Sequence, residues 1–310
     1  MASGWSYLVP DSDSDGEGEY DPVTLSGGQL ACYRHLRIVC AKCCVDYSFM
    51  EPNSDEEEEE EEEQEEYRGS YNMRNDFDDI EKYMFPEPPR GTGRVIPTKF
   101  TLPSPTSTPD SVFQGRATYA RFTRFVHRQD RKKGLIFTDG ACINNGGLNP
   151  KAGWAFVHGP RGSGDEGNEP ARSCASRLEN KGPYGDAGAQ TSNRAEMRAV
   201  ITALGYRNWL GEGFNTMVIA TDSEYVVEGA TGWVRGWIHN GWKTRNGSAV
   251  KNKDLWETLL GRAEEFHDQG MDIQFWRIPR GLNHIADAAA KEAAEGNEVD
   301  RFVDFVGFVV

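Results

Sequence analysis

The chain has no apolar run approaching the roughly 20 residues that span a bilayer, and no apolar stretch behind a basic start. Neither a membrane partner nor a secretory leader is expected, and the acidic stretch Asp11 to Glu19 disfavours a mitochondrial transit peptide. Cysteine is scarce after the first fifty residues: of six, only Cys142 and Cys174 fall beyond them. That distribution excludes a disulfide framework and suits a reducing, intracellular setting, nuclear or cytoplasmic. Excess basic charge is also lacking, since 34 Lys and Arg face 49 Asp and Glu for a net −15. The deficit is local. Eleven of those acids lie between Asp55 and Glu66, broken only by Gln64, so the low charge describes a run and not a fold.

Composition then divides the chain. Residues 1–54 form an acidic N-terminus with a Cys/His mini-module at about 30–50, and 55–66 is the acidic low-complexity run. Residues 67–115 read as an extended linker rich in Pro, Ser and Thr, so this N-terminal region is expected to be largely disordered. From 116 to 133, Arg116, Arg121, Arg124, Arg128, Arg131, Lys132 and Lys133 interleave with Tyr119, Phe122 and Phe125. That arm reads either as an auxiliary nucleic-acid contact or as an amphipathic element packed on the domain. Residues 134–296 can bury a core, and the tail 297–310 is expected to close against it.

Cys32-x-x-His35 and Cys40-x-x-Cys43, with Cys44 beside them, place two ligand pairs within a dozen residues. Such pairs can close a tetrahedral zinc shell. The competing reading is a short buried apolar element that happens to hold cysteines. A module of this size is expected to dock a protein partner or stiffen a terminus.

The C-terminal half alternates. Strands are expected at Leu135–Phe137, Ala152–Val157, about Ser173–Leu178, Met217–Ala220 and Ile273–Ile278, with helices at Ala195–Trp209, Leu255–Phe266 and Ile285–Ala294. Three antiparallel strands followed by alternating helix and strand make an α/β domain with one mixed sheet. Four acids stand at its junctions: Asp139, Glu196, Asp222 and Asp287. Each has a plain explanation, Asn193 to Glu196 as a capping box, Asp222 as a helix cap, Asp287 as a charge suited to a helix start. As a set they offer the hard oxygen ligands that two magnesium ions require.

The settings of those acids are distinctive: Thr138-Asp-Gly140, Thr191-Ser-Asn-Arg-Ala-Glu196, Thr221-Asp-Ser223 and Asn283-x-x-Ala-Asp287. With the passage Gly232-Trp-Val-Arg-Gly-Trp-Ile-His-Asn-Gly-Trp-Lys-Thr244, they make residues 134–294 resemble a type 1 ribonuclease H. The resemblance implies a ribonuclease H-like fold, a five-stranded mixed sheet flanked by helices. It implies a monomeric endonuclease that hydrolyses the RNA strand of an RNA–DNA hybrid to leave 5′-phosphate and 3′-hydroxyl ends. Asp139, Glu196, Asp222 and Asp287 would hold two Mg2+, for which Mn2+ substitutes. Trp233 and Trp237 would lie in the DNA-strand channel, Lys243 and Arg245 in a basic protrusion with Lys251 and Lys253. Thr191 and Asn252 would grip a DNA phosphate, and Asn145, Ser192 and Asn193 would face the RNA. Three departures stand out: no histidine in the shortened loop Pro279–Asn283, Ala189 in place of a basic residue, and no N-terminal hybrid-binding domain. The alternative they raise is a catalytically weak hybrid-binding or regulatory protein on the same fold.

Overall fold

Strands form where β-branched and aromatic residues gather, and their period-two burial decides which face meets which helix. The structure, a computed structural model, describes residues 23–25, 30–40, 45–46, 87–118, 120–161 and 171–307. The acidic run, Cys43, Cys44 and Tyr119 lie outside the described residues. Near the start, β1 (Val23–Thr24) pairs with β2 (Leu30–Ala31), and β3 (Val39–Cys40) pairs with β4 (Val45–Asp46).

Then come β5 (Thr98–Lys99), the short helix α1 (Pro109–Val112), β6 (Phe113–Ala117) and β7 (Thr123–His127). The domain proper follows with β8 (Lys133–Ile143), β9 (Lys151–Gly159), β10 (Arg172–Arg177), α2 (Ser192–Gly205) and β11 (Thr216–Thr221). After α3 (Glu224–Glu228), a π-helical turn Gly229–Trp233 runs into α4 (Val234–His239). The last elements are α5 (Lys253–Asp268), β12 (Asp272–Arg277), a 3-10 turn Arg280–Leu282 and α6 (His284–Ala294).

The sheet order is β10-β9-β8-β11-β12-β5, with the β6–β7 hairpin joined to β8. β8, β9 and β10 are antiparallel, while β11 is parallel to both β8 and β12. The expected five-stranded mixed sheet is therefore its centre. One face carries Ile136, Trp154, Phe156, Met217, Ile219 and Phe275 under α2 and α5. The other carries Ala141, Ala155 and Val157 against Ala286 and Ala290 of α6. The small residues let α6 ride close: a Cβ on Gly153 would collide with the backbone of Ala294.

Two upstream expectations are corrected. The linker does not run to 115. β5 extends the sheet edge beside β12, the rings of Phe100 and Trp276 stand 5.1 Å apart, and the backbone N–H groups of Thr92, Gly93 and Arg94 all donate to the Glu264 carboxylate. Pro, Ser and Thr favour extended chain and caps, which is what an edge strand and the Thr108 cap of α1 use. Nor is 116–133 a free arm. Arg124 on β7 is buried and donates to both oxygens of Glu212, at 2.8 and 2.9 Å. The packed-element reading holds there.

The tail packs against the domain. Glu179 and Val299 form a bridge, the fully buried Arg198 donates to the Val303 carbonyl at 2.6 Å, and Phe305 lies edge-on to Trp154. Among the described residues, no helix is long and apolar enough to cross a membrane.

Candidate active site

β8 outruns its parallel neighbour. β11 pairs with it only as far as Phe137 opposite Ala220, whereas β9 stays with it to Ile143. The strand expected at Leu135–Phe137 thus continues to Ile143, because Val157, Phe156 and Trp154 on β9 supply partners that β11 does not. Past the end of β11 a crevice opens, with Asp139 on β8 at one side and Asp222 at the other. Gly140 brings in the third acid: a Cβ there would collide with the Glu196 backbone nitrogen, so only glycine lets α2 lie this close to β8. The cap of α2 is Thr191, whose hydroxyl accepts from Arg194 N at 3.3 Å, so Asn193–Glu196 is no capping box. Glu196 is released to face the crevice. Ser223, not Asp222, caps α3.

Asn283 ties the crevice together. It is buried, and its Nδ2 donates to the Thr138 carbonyl at 3.0 Å and to Asp222 Oδ1 at 2.8 Å. α6 starts beyond it and presents Asp287, whose oxygens accept from Arg280 at 2.8 Å and Lys291 at 2.6 Å. Thr221 Oγ1 lies 3.5 Å from Glu196 Oε2.

The electrostatics are those of a site short of positive charge. Burial, then the charges of Asp222 and Asp287, push the Asp139 carboxyl well above its ordinary value. Burial, then Asp139 and Asp222, do the same to Glu196. Asp287 goes the other way: burial works against its charge, but the bonds from Lys291 and Arg280 outweigh it and hold it low. Asp139 Oδ1 accepts from Gly140 N at 2.7 Å, while its buried Oδ2 meets no N–H or hydroxyl donor and has the Glu196 carboxyl as its neighbour. An all-carboxylate donor set with an orphaned buried oxygen and two strained charges fits a hard divalent cation. The acids stand wider than a single closed cage, since no three of them bring one oxygen each within 4.8 Å of one another.

The predicted nucleic-acid residues fall in two groups. Asn145 and Ser192 are buried, and both amide atoms of Asn145 and the Ser192 hydroxyl have no hydrogen-bond partner. Asn193 is buried in the same first turn of α2. Farther out, Trp233 and Trp237 are half-buried with ring centroids 6.0 Å apart, and Trp237 also packs on the buried Trp256. Core packing and an outward face are therefore both true of them. Lys243, Arg245, Lys251 and Lys253 are all exposed around the bridge Lys243–Ala249. Thr191 and Asn252 meet through Arg194, which donates to Asn252 at 3.4 Å and to both oxygens of Asp254 at 2.8 and 2.6 Å. Asn252 holds a left-handed backbone, φ 59°, and donates to Tyr225.

Sequence reading missed two residues that contact these acids. Asn283 sits inside the quoted Asn-x-x-Ala-Asp motif, which was its signal. Arg280 had none, because a short loop of Pro, Arg and Gly does not reveal that it folds back onto Asp287.

A family model described as RNase H matches residues 131–295, more than half of the chain. The chain belongs to the ribonuclease H family. The ribonuclease H of Treponema pallidum subsp. pallidum is 37% identical over 169 residues, 51% of this chain and 89% of that protein. The ribonuclease H of a Cyanothece species is 35% identical over 166 residues, 53% of this chain and 90% of that one. Ribonuclease H1 of Homo sapiens is 34% identical over 168 residues, 53% of this chain, which spans about half (51%) of the human protein. The crystal structure of RNase H1 from Halobacterium salinarum NRC-1 aligns over 52% of this chain and 96% of its own, at 26% identity and a TM-score of 0.31. As a ribonuclease H, this chain carries the family's domain between residues 131 and 295.

Proposed function

We propose that this protein cleaves the RNA strand of RNA–DNA hybrids, leaving 5′-phosphate and 3′-hydroxyl ends, with two magnesium ions held by Asp139, Glu196, Asp222 and Asp287. The observation that carries the reading is the crevice itself, which four carboxylates line and where burial and like charge raise Asp139 and Glu196 well above the ordinary carboxylate range. Magnesium bound there supplies Lewis-acid polarisation of the phosphate and a more acidic water. The chain's own groups do the rest. Asn283 fixes the Asp222 carboxylate, the Thr221 hydroxyl faces Glu196, and Arg280 and Lys291 keep Asp287 ionised.

Substrate selection follows from unsatisfied groups. The Asn145 amide and the Ser192 hydroxyl would hydrogen-bond the RNA strand, where the 2′-hydroxyl is both donor and acceptor. Trp233 and Trp237 would pack on deoxyribose of the other strand. Lys243, Arg245, Lys251 and Lys253 would neutralise phosphates, so binding should weaken steeply with salt.

The test is cleavage of a strand-labelled hybrid with magnesium and with chelator, beside duplex DNA, duplex RNA and Asp222→Asn. Magnesium-dependent cutting of the hybrid's RNA alone, lost in the variant, supports the reading. Binding without cutting, in magnesium or manganese, favours a hybrid-binding protein on this fold. The engagement of both Asp287 oxygens by Arg280 and Lys291 is the observation on that side.

A further inference from the structure

The nuclease reading leaves one ligand cluster unused, at the other end of the chain and of different chemistry. Cys32 follows β2, and Cys40 closes β3. Between them the chain folds back on itself: Leu36 N donates to the Cys32 carbonyl at 2.7 Å and Cys32 N to the Arg37 carbonyl at 3.0 Å. Leu36 takes a left-handed φ of 50°, a conformation that disfavours its side chain. The effect of the turn is to bring His35 back over both thiols. The sulfur and nitrogen atoms of Cys32, His35 and Cys40 all lie within 4.8 Å of one another.

The spacing matches one kind of occupant. With Zn–S at about 2.3 Å, Zn–N at about 2.0–2.1 Å and tetrahedral angles, sulfur and nitrogen ligands stand about 3.6 Å apart. Here Cys32 Sγ lies 3.5 Å and Cys40 Sγ 3.4 Å from the same atom, His35 Nδ1. An imidazole nitrogen has a single lone pair and cannot accept well from two thiols together, whereas a cation between the three satisfies all of them. Both cysteines are buried and His35 is exposed, so the cluster has a closed thiol side and an open imidazole side.

Energetics point the same way. β1 to β4 are two residues each, too short to hold a hairpin by their own pairing, and of these strands β4 also lies against α2. Ala31, Cys32 and Cys40 are the buried apolar residues of the described part of this segment, too few to offset a left-handed leucine and the ordering of the turn. Small modules of this kind take their folding energy from a metal.

We propose that Cys32, His35 and Cys40 bind one Zn2+ and that this ion holds the turn of residues 30–40 in place. Two thiolates and an imidazole favour zinc over magnesium, so the site is separate from the carboxylate crevice in place and in metal.

Full-length protein would be stripped with chelator, reloaded with zinc in the presence of excess magnesium, desalted and assayed for bound zinc by elemental analysis. One zinc per chain is expected in the wild type, and near none in the Cys32→Ser/Cys40→Ser double variant. Because that variant could lose the turn altogether, the wild type is also alkylated with and without zinc, and modified cysteines are mapped by peptide mass. Zinc-dependent protection of Cys32 and Cys40, with Cys174 unaffected, supports the site. Wild type that retains no zinc, or thiols that react equally with and without it, would overturn the proposal and leave two thiols clustered on an imidazole. Hybrid cleavage is read in parallel, so a failed nuclease reading and a failed zinc site give separate signatures.

Discussion

The carboxylate crevice and the thiol turn place their ligands on opposite kinds of support. Asp139, Glu196, Asp222 and Asp287 stand on β8, α2, the end of β11 and α6, elements held by a large shared core. Their geometry exists before any cation arrives, and it costs stability, because Asp139 and Glu196 are buried beside like charge. Cys32, His35 and Cys40 stand on two-residue strands and a left-handed turn, and among the described residues of this segment only Ala31, Cys32 and Cys40 are buried and apolar. The first site is a scaffold that tolerates poor electrostatics, as the proposed chemistry would require. The second has ligands and little scaffold.

The largest expected effect cuts the two sites apart. Asp222→Asn keeps the oxygen that Asn283 bonds but removes a charge, and should lower hybrid cleavage about a thousandfold or more, equivalent to about 4 kcal/mol. Zinc content should not move. Steady-state cleavage and elemental analysis on one preparation would check both.

Asn283→Ala frees Asp222 and leaves the buried Thr138 carbonyl without that donor. A loss of about 1–3 kcal/mol is expected, read as a tenfold to hundredfold fall in cleavage with a smaller change in hybrid affinity. Equal losses in kcat and in affinity would mean that Asn283 serves binding instead.

Glu196→Gln turns the scaffold's cost into a gain. A carboxyl raised above its usual 4.5 contributes stability that is present below that value and lost as pH rises through its folded-state value, so the charged form is the one the fold disfavours. Without metal the amide variant should melt higher, by about 2–4 °C for each kcal/mol relieved, although it is inactive. Chelator sharpens the contrast further. Hydrogen exchange at residues 30–40 should accelerate on stripping while the amides of β8 and β11 stay protected.

The smallest effect lies in neither site. His158 is lowered to about 3 by burial first and then by Arg124, against 6.5 when unfolded. The unfolded chain then binds the extra proton, so stability present above pH 6.5 is lost as pH falls towards 3. Denaturant midpoints between about pH 7 and 5 should fall in the wild type and fall less in His158→Gln.

Most of the domain was legible because its signals are local. The strand at Met217–Ala220 and the helix at Ile285–Ala294 follow from apolar period alone, and the structure places them at Thr216–Thr221 and His284–Ala294. The four acids were visible as residues in their settings. What stayed hidden depends on contacts distant in sequence. β5 is two residues long and is a strand only because β12 lies beside it. Arg124 looked like a solvated cation until Glu212, 88 residues away, proved to be its partner. Arg280 looked like a loop residue until the 3-10 turn brought it to Asp287.

Arg194 carries a consequence for how a duplex is judged. It leaves α2 two residues before Glu196 and grips Asp254 and Asn252 at the start of α5, next to the basic bridge. The cutting edge and the gripping edge are thereby pinned to each other at a set span. A helix that touches both must have the right width between its strands, and one that is wider or narrower can touch only one. On the proposed contacts, the protein would work as a caliper that responds to the cross-section of a duplex and not to the letters inside.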